Sequence, residues 1–221
     1  MKKLLHFLLL AAAPVLLFGQ GDERPRRFLL GALVGFESQT LDWTTLPGGD
    51  PDEPARVWAD RPKPGASIGV FGAWHLSKSV AVRPQLVAAF TRNRLFFRAG
   101  DQSVTARDYR FADLELPVHL VFTNPKGRLP VRGSILLGGR FAWNFAQNQP
   151  AEGLRLYHER FALDLGVGLE IHFGKLRLRP EVLYSYGLNN LNDAVETPEY
   201  WRIGKAVRDR VSVRVLVSLA R

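Results

Sequence analysis

Residues 160–191 read RFALDLGVGLEIHFGKLRLRPEVLYSYGLNNL, and this stretch decides the fold. Side-chain character alternates on both sides of Gly174-Lys175, which predicts two antiparallel strands joined by a tight turn, because successive strand residues point to opposite faces. One face carries no charge: Phe161, Leu163, Leu165, Val167, Leu169, Ile171, Phe173, Leu176, Leu178, Pro180, Val182, Tyr184, Tyr186 and Leu188. The other face is small or ionic: Arg160, Ala162, Asp164, Gly166, Gly168, Glu170, His172, Arg177, Arg179, Glu181, Leu183, Ser185 and Gly187.

The same alternation recurs along the rest of the chain. It predicts further strands at residues 28–37, 66–76, 79–91, 112–123, 131–145 and 211–219. Long polar connections, at residues 40–65, 92–108, 147–159 and 189–209, alternate with short turns such as 124–127. The sequence therefore predicts an all-β fold, an eight-stranded antiparallel up-and-down transmembrane β-barrel with short periplasmic turns and longer extracellular loops.

The two faces of each strand differ in charge, and this difference indicates which face contacts lipid and which faces the barrel interior. The uncharged face is assigned to lipid, because an exposed Arg or Lys near the bilayer middle costs roughly 2–4 kcal/mol. The opposite face fills the interior, where eight strands leave room only for side chains, and charges enclosed there need partners. The predicted interior network matches six acids with six arginines: Glu37, Arg83, Asp113, Glu115, Arg132, Arg140, Asp164, Glu170, Arg177, Arg179, Glu181 and Arg214.

The alternative is a soluble barrel that resembles a lipocalin, with the apolar face inside around a ligand. Aromatic residues at the strand ends argue against it, because interfacial aromatics form girdles in membrane barrels. One predicted girdle contains Phe36, Phe90, Trp143, Phe145, Phe161, Tyr184 and Tyr186, and the other contains Phe28, Trp74, Phe122 and Phe173. Each aromatic alone is weak evidence, because β-strands are enriched in aromatics anywhere.

The N-terminus predicts export. Lys2 and Lys3 precede the apolar run LLHFLLLAAAPVLLF, which indicates a signal peptide at residues 1–20 followed by one barrel domain at 21–221. An N-terminal anchor helix is the alternative, although the apolar run is short and contains Pro14. A net charge of +9 and a pI near 10.2 would fit anionic partners, but export makes nucleic acid an unexpected one. The expected location is the outer membrane.

Four segments resemble a known family. They are ADLELPVHLVF at 112–122, Gly138-Gly139, residues 164–191 with the ending YSYGLNNL, and VSVRVLVSLA at 211–220. They are similar to the PorT-like outer membrane β-barrel family of diderm bacteria, often labelled porin family proteins. The resemblance covers most of the mature chain. It implies an outer membrane barrel of about this size, and it implies no catalytic residues.

Catalytic and metal chemistry have few candidates. The chain has no cysteine, which excludes disulfides, thiol catalysis and cysteine metal sites. His75, His119 and His172 share the interior face and could meet near the periplasmic mouth, but hydrogen-bonded network members are the expectation rather than a metal site. Ser185 has no evident histidine partner, so no enzyme activity and no cofactor are expected.

The loops supply the remaining candidates. Arginines and a lysine there could bind phosphates of lipopolysaccharide, because guanidinium groups match phosphate geometry. They are Arg92, Arg94, Arg98, Arg107, Arg110, Arg202, Lys205 and Arg208. Trp43, Trp58, Tyr200 and Trp201 could form a partner-binding surface, or pack the loops down. A periplasmic or surface protein is the candidate protein partner of the chain.

The sequence thus predicts an outer membrane barrel with a plugged, ion-paired interior and a structural or surface-interaction role, in contact with outer membrane lipid. The alternatives are a narrow porin-like diffusion channel, an accessory factor in protein export or surface assembly, and a membrane-embedded lipid enzyme.

Overall fold

The protein forms a closed antiparallel barrel. The computed structural model describes residues 28–45, 56–59, 63–98, 105–124, 131–145, 157–191 and 203–219. The strands in this part of the chain are β1 Phe28–Thr45, β2 Arg56–Ala59, β3 Pro64–His75, β4 Val80–Arg98, β5 Thr105–Thr123, β6 Val131–Asn144, β7 Glu159–Phe173, β8 Leu176–Gly187 and β9 Ile203–Leu219. All except β2 lie in a ring that β1–β9 and β4–β5 pairing closes. The predicted eight-stranded barrel is confirmed.

The hairpin of β7 and β8 has the predicted register. Val167 pairs with Val182 and Phe173 with Leu176, so the two uncharged faces lie on the same side of the sheet. The turn is made by Gly174 and Lys175, and Gly174 has a φ of 57°, a conformation that a residue with a Cβ adopts at a cost. The glycine therefore permits the two-residue connection that fixes this register.

The outward and inward faces are as the alternation predicts. Val167 is 60% exposed and Leu165 is 58% exposed, whereas Asp164 on the same strand is 1% exposed. The predicted girdle residues also lie on the outside with large exposed fractions, Phe36 at 73% and Phe173 at 59% among them. An apolar exterior around a charged interior is the reverse of a lipocalin, so that alternative is wrong.

Four strands are longer than predicted. β1 continues to Thr45, β4 to Arg98, β5 starts at Thr105 and β9 starts at Ile203. The expected long connection at 92–108 is therefore largely a β4–β5 ladder, with Arg92 opposite Arg110 and Phe97 opposite Thr105. The sequence pattern missed these ends because strands that rise above a bilayer no longer need an uncharged outer face.

A short strand also lies inside the expected loop at 40–65. β2 pairs with the upper part of β4, from Arg56 opposite Arg98 to Ala59 opposite Leu95. It thus occupies the side of β4 that β3 occupies lower down, where Ala66 is opposite Phe90.

Among the described residues, no helix has both the length and the apolar character needed to cross a membrane. The predicted signal peptide at 1–20 lies outside the described residues.

Apolar side chains also occupy part of the interior. One buried cluster contains Leu33, Phe71, Ala73, Val87 and Leu216. A second contains Ala81, Val121 and Leu136. Gly138 allows β5 and β6 to pack tightly beside the second cluster, because a Cβ there would lie 2.2 Å from the carbonyl oxygen of Val118. These clusters lie towards the short-turn ends of the strands, and the ionic residues fill most of the remaining interior.

Candidate functional site

The interior charge network is built from residues that face inward on every ring strand except β3. Most of the predicted members are buried: Glu37, Arg83, Asp113, Glu115, Arg140, Asp164, Arg179, Glu181 and Arg214. The remaining three, Arg132, Glu170 and Arg177, are half-buried and lie at the short-turn ends of β6, β7 and β8. The structure thus separates a deep cluster from a group at the periplasmic mouth.

Glu115 is the hub of the deep cluster, and its side chain is fully buried. One oxygen accepts hydrogen bonds from Arg160, at 2.9 Å, and from Arg210, at 2.6 Å. The other oxygen pairs with Arg140 and lies 3.9 Å from Arg214. The four guanidinium groups repel each other, and Glu115 attracts all four. One negative charge does not balance four positive ones, so other carboxylates of the cluster must neutralise the rest.

Two sets of ion pairs cross the lumen. Arg83 of β4 donates both terminal nitrogens to Glu181 of β8, at 2.5 and 2.7 Å. In the ring order β1-β3-β4-β5-β6-β7-β8-β9, these two strands are four positions apart and therefore face each other. The same relation holds for β5 and β9, which Arg210 joins through Glu115 and Arg208 joins through Asp113. The opposite walls of the barrel are thus connected at two places.

Asp164 neutralises a second part of the cluster. It accepts hydrogen bonds from Arg140, at 2.8 Å from Nη2, and lies 2.8 Å from Nε2 of His119. The other ring nitrogen of His119 lies 3.1 Å from the side-chain amide nitrogen of Gln85. A neutral imidazole that donates from Nε2 and accepts at Nδ1 satisfies both neighbours. His119 is therefore occupied as a hydrogen-bonded member of the network.

The predicted network omits three buried arginines, of which the alternation already assigns Arg160 to the inward face. Arg160, Arg208 and Arg210 are at most 4% exposed, so among the described residues nine arginines, not six, share the interior with the six acids. The prediction that Arg208 is a loop arginine for lipopolysaccharide is wrong, because Arg208 pairs with Asp113 inside the barrel. The alternation along β9 could have identified two of these arginines, because Arg208 and Arg210 continue the inward face of Ser212 and Arg214.

Of the other loop candidates, Arg92 and Arg110 are exposed at the outer end, and Arg94 has an interaction partner. The side chains of Arg98, Arg107, Arg202 and Lys205 lie outside the described residues, as do those of Trp43, Trp58, Tyr200 and Trp201.

The periplasmic mouth contains a separate group of polar side chains. Glu170 binds His172 through one oxygen, at 2.6 Å, and Arg179 through the other, at 2.8 Å. Together with His75 they line a cavity of about 230 Å³. Among the described residues, no three His, Asp or Glu side chains are placed to share a metal ion. His119 lies deeper, between Gln85 and Asp164, and does not join the two mouth histidines.

A larger cleft of about 920 Å³ opens at the other end of the barrel. Its apolar floor is a row across four strands, in which Phe36 faces Ala66, Ala66 faces Phe90 and Phe90 faces Ala112. Three basic residues stand beside this row: Lys63, Arg92 and Arg110. The cleft thus combines an apolar floor with positive charge at the long-loop end of the barrel.

Comparison with solved structures shows which barrels this fold resembles. The structure is similar to the outer membrane protein OprG from Pseudomonas aeruginosa, with a TM-score of 0.54, 11% identity, and coverage of 87% of this chain and 94% of OprG. It is also similar to Neisserial surface protein A, with a TM-score of 0.47, 9% identity, and coverage of 88% and 97%. No curated protein matches the sequence.

The likeness to OprG shows the fold, and the family follows from the sequence. The family model described as the outer membrane protein beta-barrel domain matches residues 18–193, which is well over half of the chain. The location predicted from the lipid-facing parity is thereby confirmed, and the chain belongs to the outer membrane protein beta-barrel domain family.

Proposed function

We propose that this protein is a non-conducting outer membrane barrel with a structural and surface-interaction role, closed by its own ion pairs. The observation that carries the proposal is the pair of cross-lumen connections, Arg83 to Glu181 and Arg210 to Glu115. Each joins strands on opposite sides of a barrel that is only wide enough for side chains to fill. A solute would have to break buried charge–charge contacts to pass, and breaking such a pair costs several kcal/mol.

A narrow diffusion channel is the second candidate, and conductance separates the two. We expect the purified protein in planar bilayers to give no steady open-channel current. A variant without these two bridges, Arg83→Ala, Glu181→Ala, Arg210→Ala and Glu115→Ala, should give measurable current if it inserts, because of the described ion pairs only Arg208 to Asp113 then still joins opposite walls. A bacterial porin reconstituted in parallel shows that the bilayers detect open channels. Steady current from the unmodified protein would overturn the plugged-barrel proposal.

The surface-interaction part of the proposal rests on the outer cleft. Arg92 and Arg110 are directly opposite each other on β4 and β5, and like charges in that arrangement destabilise a sheet unless an anion neutralises them. In the next row on the same face, Ala66 is flanked by Phe36 and Phe90, so a small side chain lies between two large aromatic ones and an acyl chain could lie over it. This combination fits one occupant, a phosphorylated glycolipid of the outer leaflet such as lipopolysaccharide.

The test of this lipid site uses charge reversal. We expect Arg92→Glu with Arg110→Glu to weaken binding of the phosphorylated glycolipid about tenfold, the equivalent of about 1.4 kcal/mol. Native mass spectrometry of protein reconstituted with the phosphorylated or the dephosphorylated lipid measures the bound fraction. The matched control is Lys175→Glu, a charge reversal on the turn at the other end. Equal binding of the two lipids by the unmodified protein would contradict the site.

Two further parts of the proposal concern identity and catalysis. The ending YSYGLNNL supports assignment to the PorT-like branch, in which a role in protein export or surface assembly is the third candidate. The absence of enzyme activity is also proposed. The position of Ser185 supports this part of the proposal. Its hydroxyl is buried inside the barrel and has no hydrogen-bond partner among the described residues, so no base is placed to activate it. Pull-down of periplasmic proteins and a lipid hydrolysis assay test these two parts.

A further inference from the structure

The cavity at the periplasmic mouth carries more positive charge than its own carboxylate can neutralise. Its basic lining side chains are Arg132 of β6 and Arg177 and Arg179 of β8, together with Lys78 of the β3–β4 turn, which has an interaction partner of its own. Arg83 also reaches the cavity, but Glu181 already neutralises it. The one carboxylate of the described lining is Glu170. The mouth therefore differs from the deep cluster, where every arginine has a carboxylate within 4 Å.

Glu170 is already committed to other partners. Its two oxygens accept from Arg179 and from His172. Arg132 is opposite Glu170 in the β6–β7 register, and Arg177 is opposite His172 in the β7–β8 register, yet within the described residues neither makes an ion pair with a carboxylate. Two guanidinium groups thus line a partly enclosed cavity with their charge uncompensated.

Some of the side chains that line the cavity also have a polar atom without a hydrogen-bond partner in the described part of the chain. The Nε of Arg177 and the Nδ1 of His75 are buried, and no side chain or backbone group of the described part of the chain is bonded to either atom. A buried polar atom without a partner costs roughly 1–3 kcal/mol, and more when it belongs to a charged group. An oxygen-rich anion in the cavity would compensate the charge of the guanidinium groups that line it.

We propose that this cavity is a binding site for a phosphate group, presented from the periplasm. Arg132, Arg177 and Arg179 against Glu170 leave a net charge of +2 inside, which a phosphate dianion balances and a single carboxylate does not. The guanidinium fork matches phosphate oxygens in a bidentate geometry. The volume of about 230 Å³ lies below that of pockets for drug-sized ligands, so the bound group is inorganic phosphate or the phosphate of a small ester.

The site is separate from the plug and from the outer cleft, and it can fail without either of them failing. It lies at the opposite end of the barrel from Lys63, Arg92 and Arg110. Its inner end is lined by Ala73, Ala81 and Val121 and by the Arg83 that Glu181 holds. The plug therefore forms the inner boundary of the cavity, and phosphate would bind there without entering the lumen beyond it.

Isothermal titration of the folded, detergent-solubilised protein tests the proposal. Inorganic phosphate and glycerol phosphate are titrated separately, and sodium chloride and sodium acetate at matched ionic strength are the comparison anions. We expect saturable binding of at least one phosphate compound and none of chloride or acetate. Arg132→Ala and Arg177→Ala should each weaken binding about tenfold, the equivalent of 1.4 kcal/mol. Tighter binding of the ester would identify it as the preferred source of the phosphate.

The matched control is Lys175→Ala. Lys175 has the same charge and lies at the same end of the barrel, but it is on the exposed turn and does not line the cavity. The affinity of the Lys175→Ala variant for phosphate should equal that of the unmodified protein. A heat-modifiability gel verifies that every variant is a folded barrel. The proposal is overturned if chloride binds like phosphate, if both arginine variants keep full affinity, or if Lys175→Ala loses as much affinity as they do.

Discussion

Replacement of Glu115 by leucine is expected to destabilise the barrel by about 3–5 kcal/mol, because it removes the partner of buried charges and leaves them uncompensated. Arg210 would keep Glu37 and Asp113, and Arg140 would keep Asp164, but Arg160 would lose the carboxylate to which it donates. The measurement is the free energy of unfolding in urea of protein refolded into lipid vesicles. Band shifts on heat-modifiability gels report the folded fraction.

Two controls separate the lost charge from other effects. Glu159→Gln removes a carboxylate from the exposed first residue of β7 and should change stability by less than about 0.5 kcal/mol. Glu115→Leu combined with Arg160→Met should recover part of the loss, because replacing both partners of a buried ion pair with apolar side chains is often neutral. If Glu115→Leu unfolds at the same urea concentration as the unmodified protein, the hub does not hold the interior together.

The sequence determines which side of each strand faces inward, and the reason is physical. A bilayer penalises a charge on the outer face, and the side-chain period of a strand is two, so an uncharged parity identifies the lipid side. The rule succeeded for the hairpin of β7 and β8 and for every segment within the bilayer. It fails above the bilayer, where Val207 and Asp209 share the outer face of β9 and the contrast between the faces disappears. Arg208 and Arg210 were missed for this reason.

Partner choice inside the barrel is a different matter, because it depends on how the ring closes. Arg83 and Glu181 are 98 positions apart, and nothing in either local pattern relates them. They meet because β4 and β8 are opposite strands at matching heights, which follows from strand number and stagger together. The expectation of six acids with six arginines could therefore name interior residues without naming pairs. It also concealed the excess of arginine at the periplasmic mouth.

Substitution of Val167 by arginine should cost about 2–4 kcal/mol, because Val167 is the central outward residue of β7 and faces the middle of the bilayer. Its neighbours in register are Ile135 on β6 and Val182 on β8, both exposed and apolar, so the new guanidinium would meet hydrocarbon and no carboxylate. Urea unfolding from vesicles measures this loss on the same scale as the Glu115 variants.

The position-matched control is Phe173→Arg, at the end of the same strand and on the same face. Phe173 is 59% exposed beside the turn at Gly174 and Lys175, where the girdle prediction puts the membrane interface. The same change there should cost only about 0–1 kcal/mol, since the penalty for arginine falls steeply from the midplane to the interface. A soluble barrel has no such depth dependence. Equal losses at the two positions would therefore remove the physical basis for assigning the uncharged parity to lipid, whereas a loss confined to Val167 would locate the bilayer along β7.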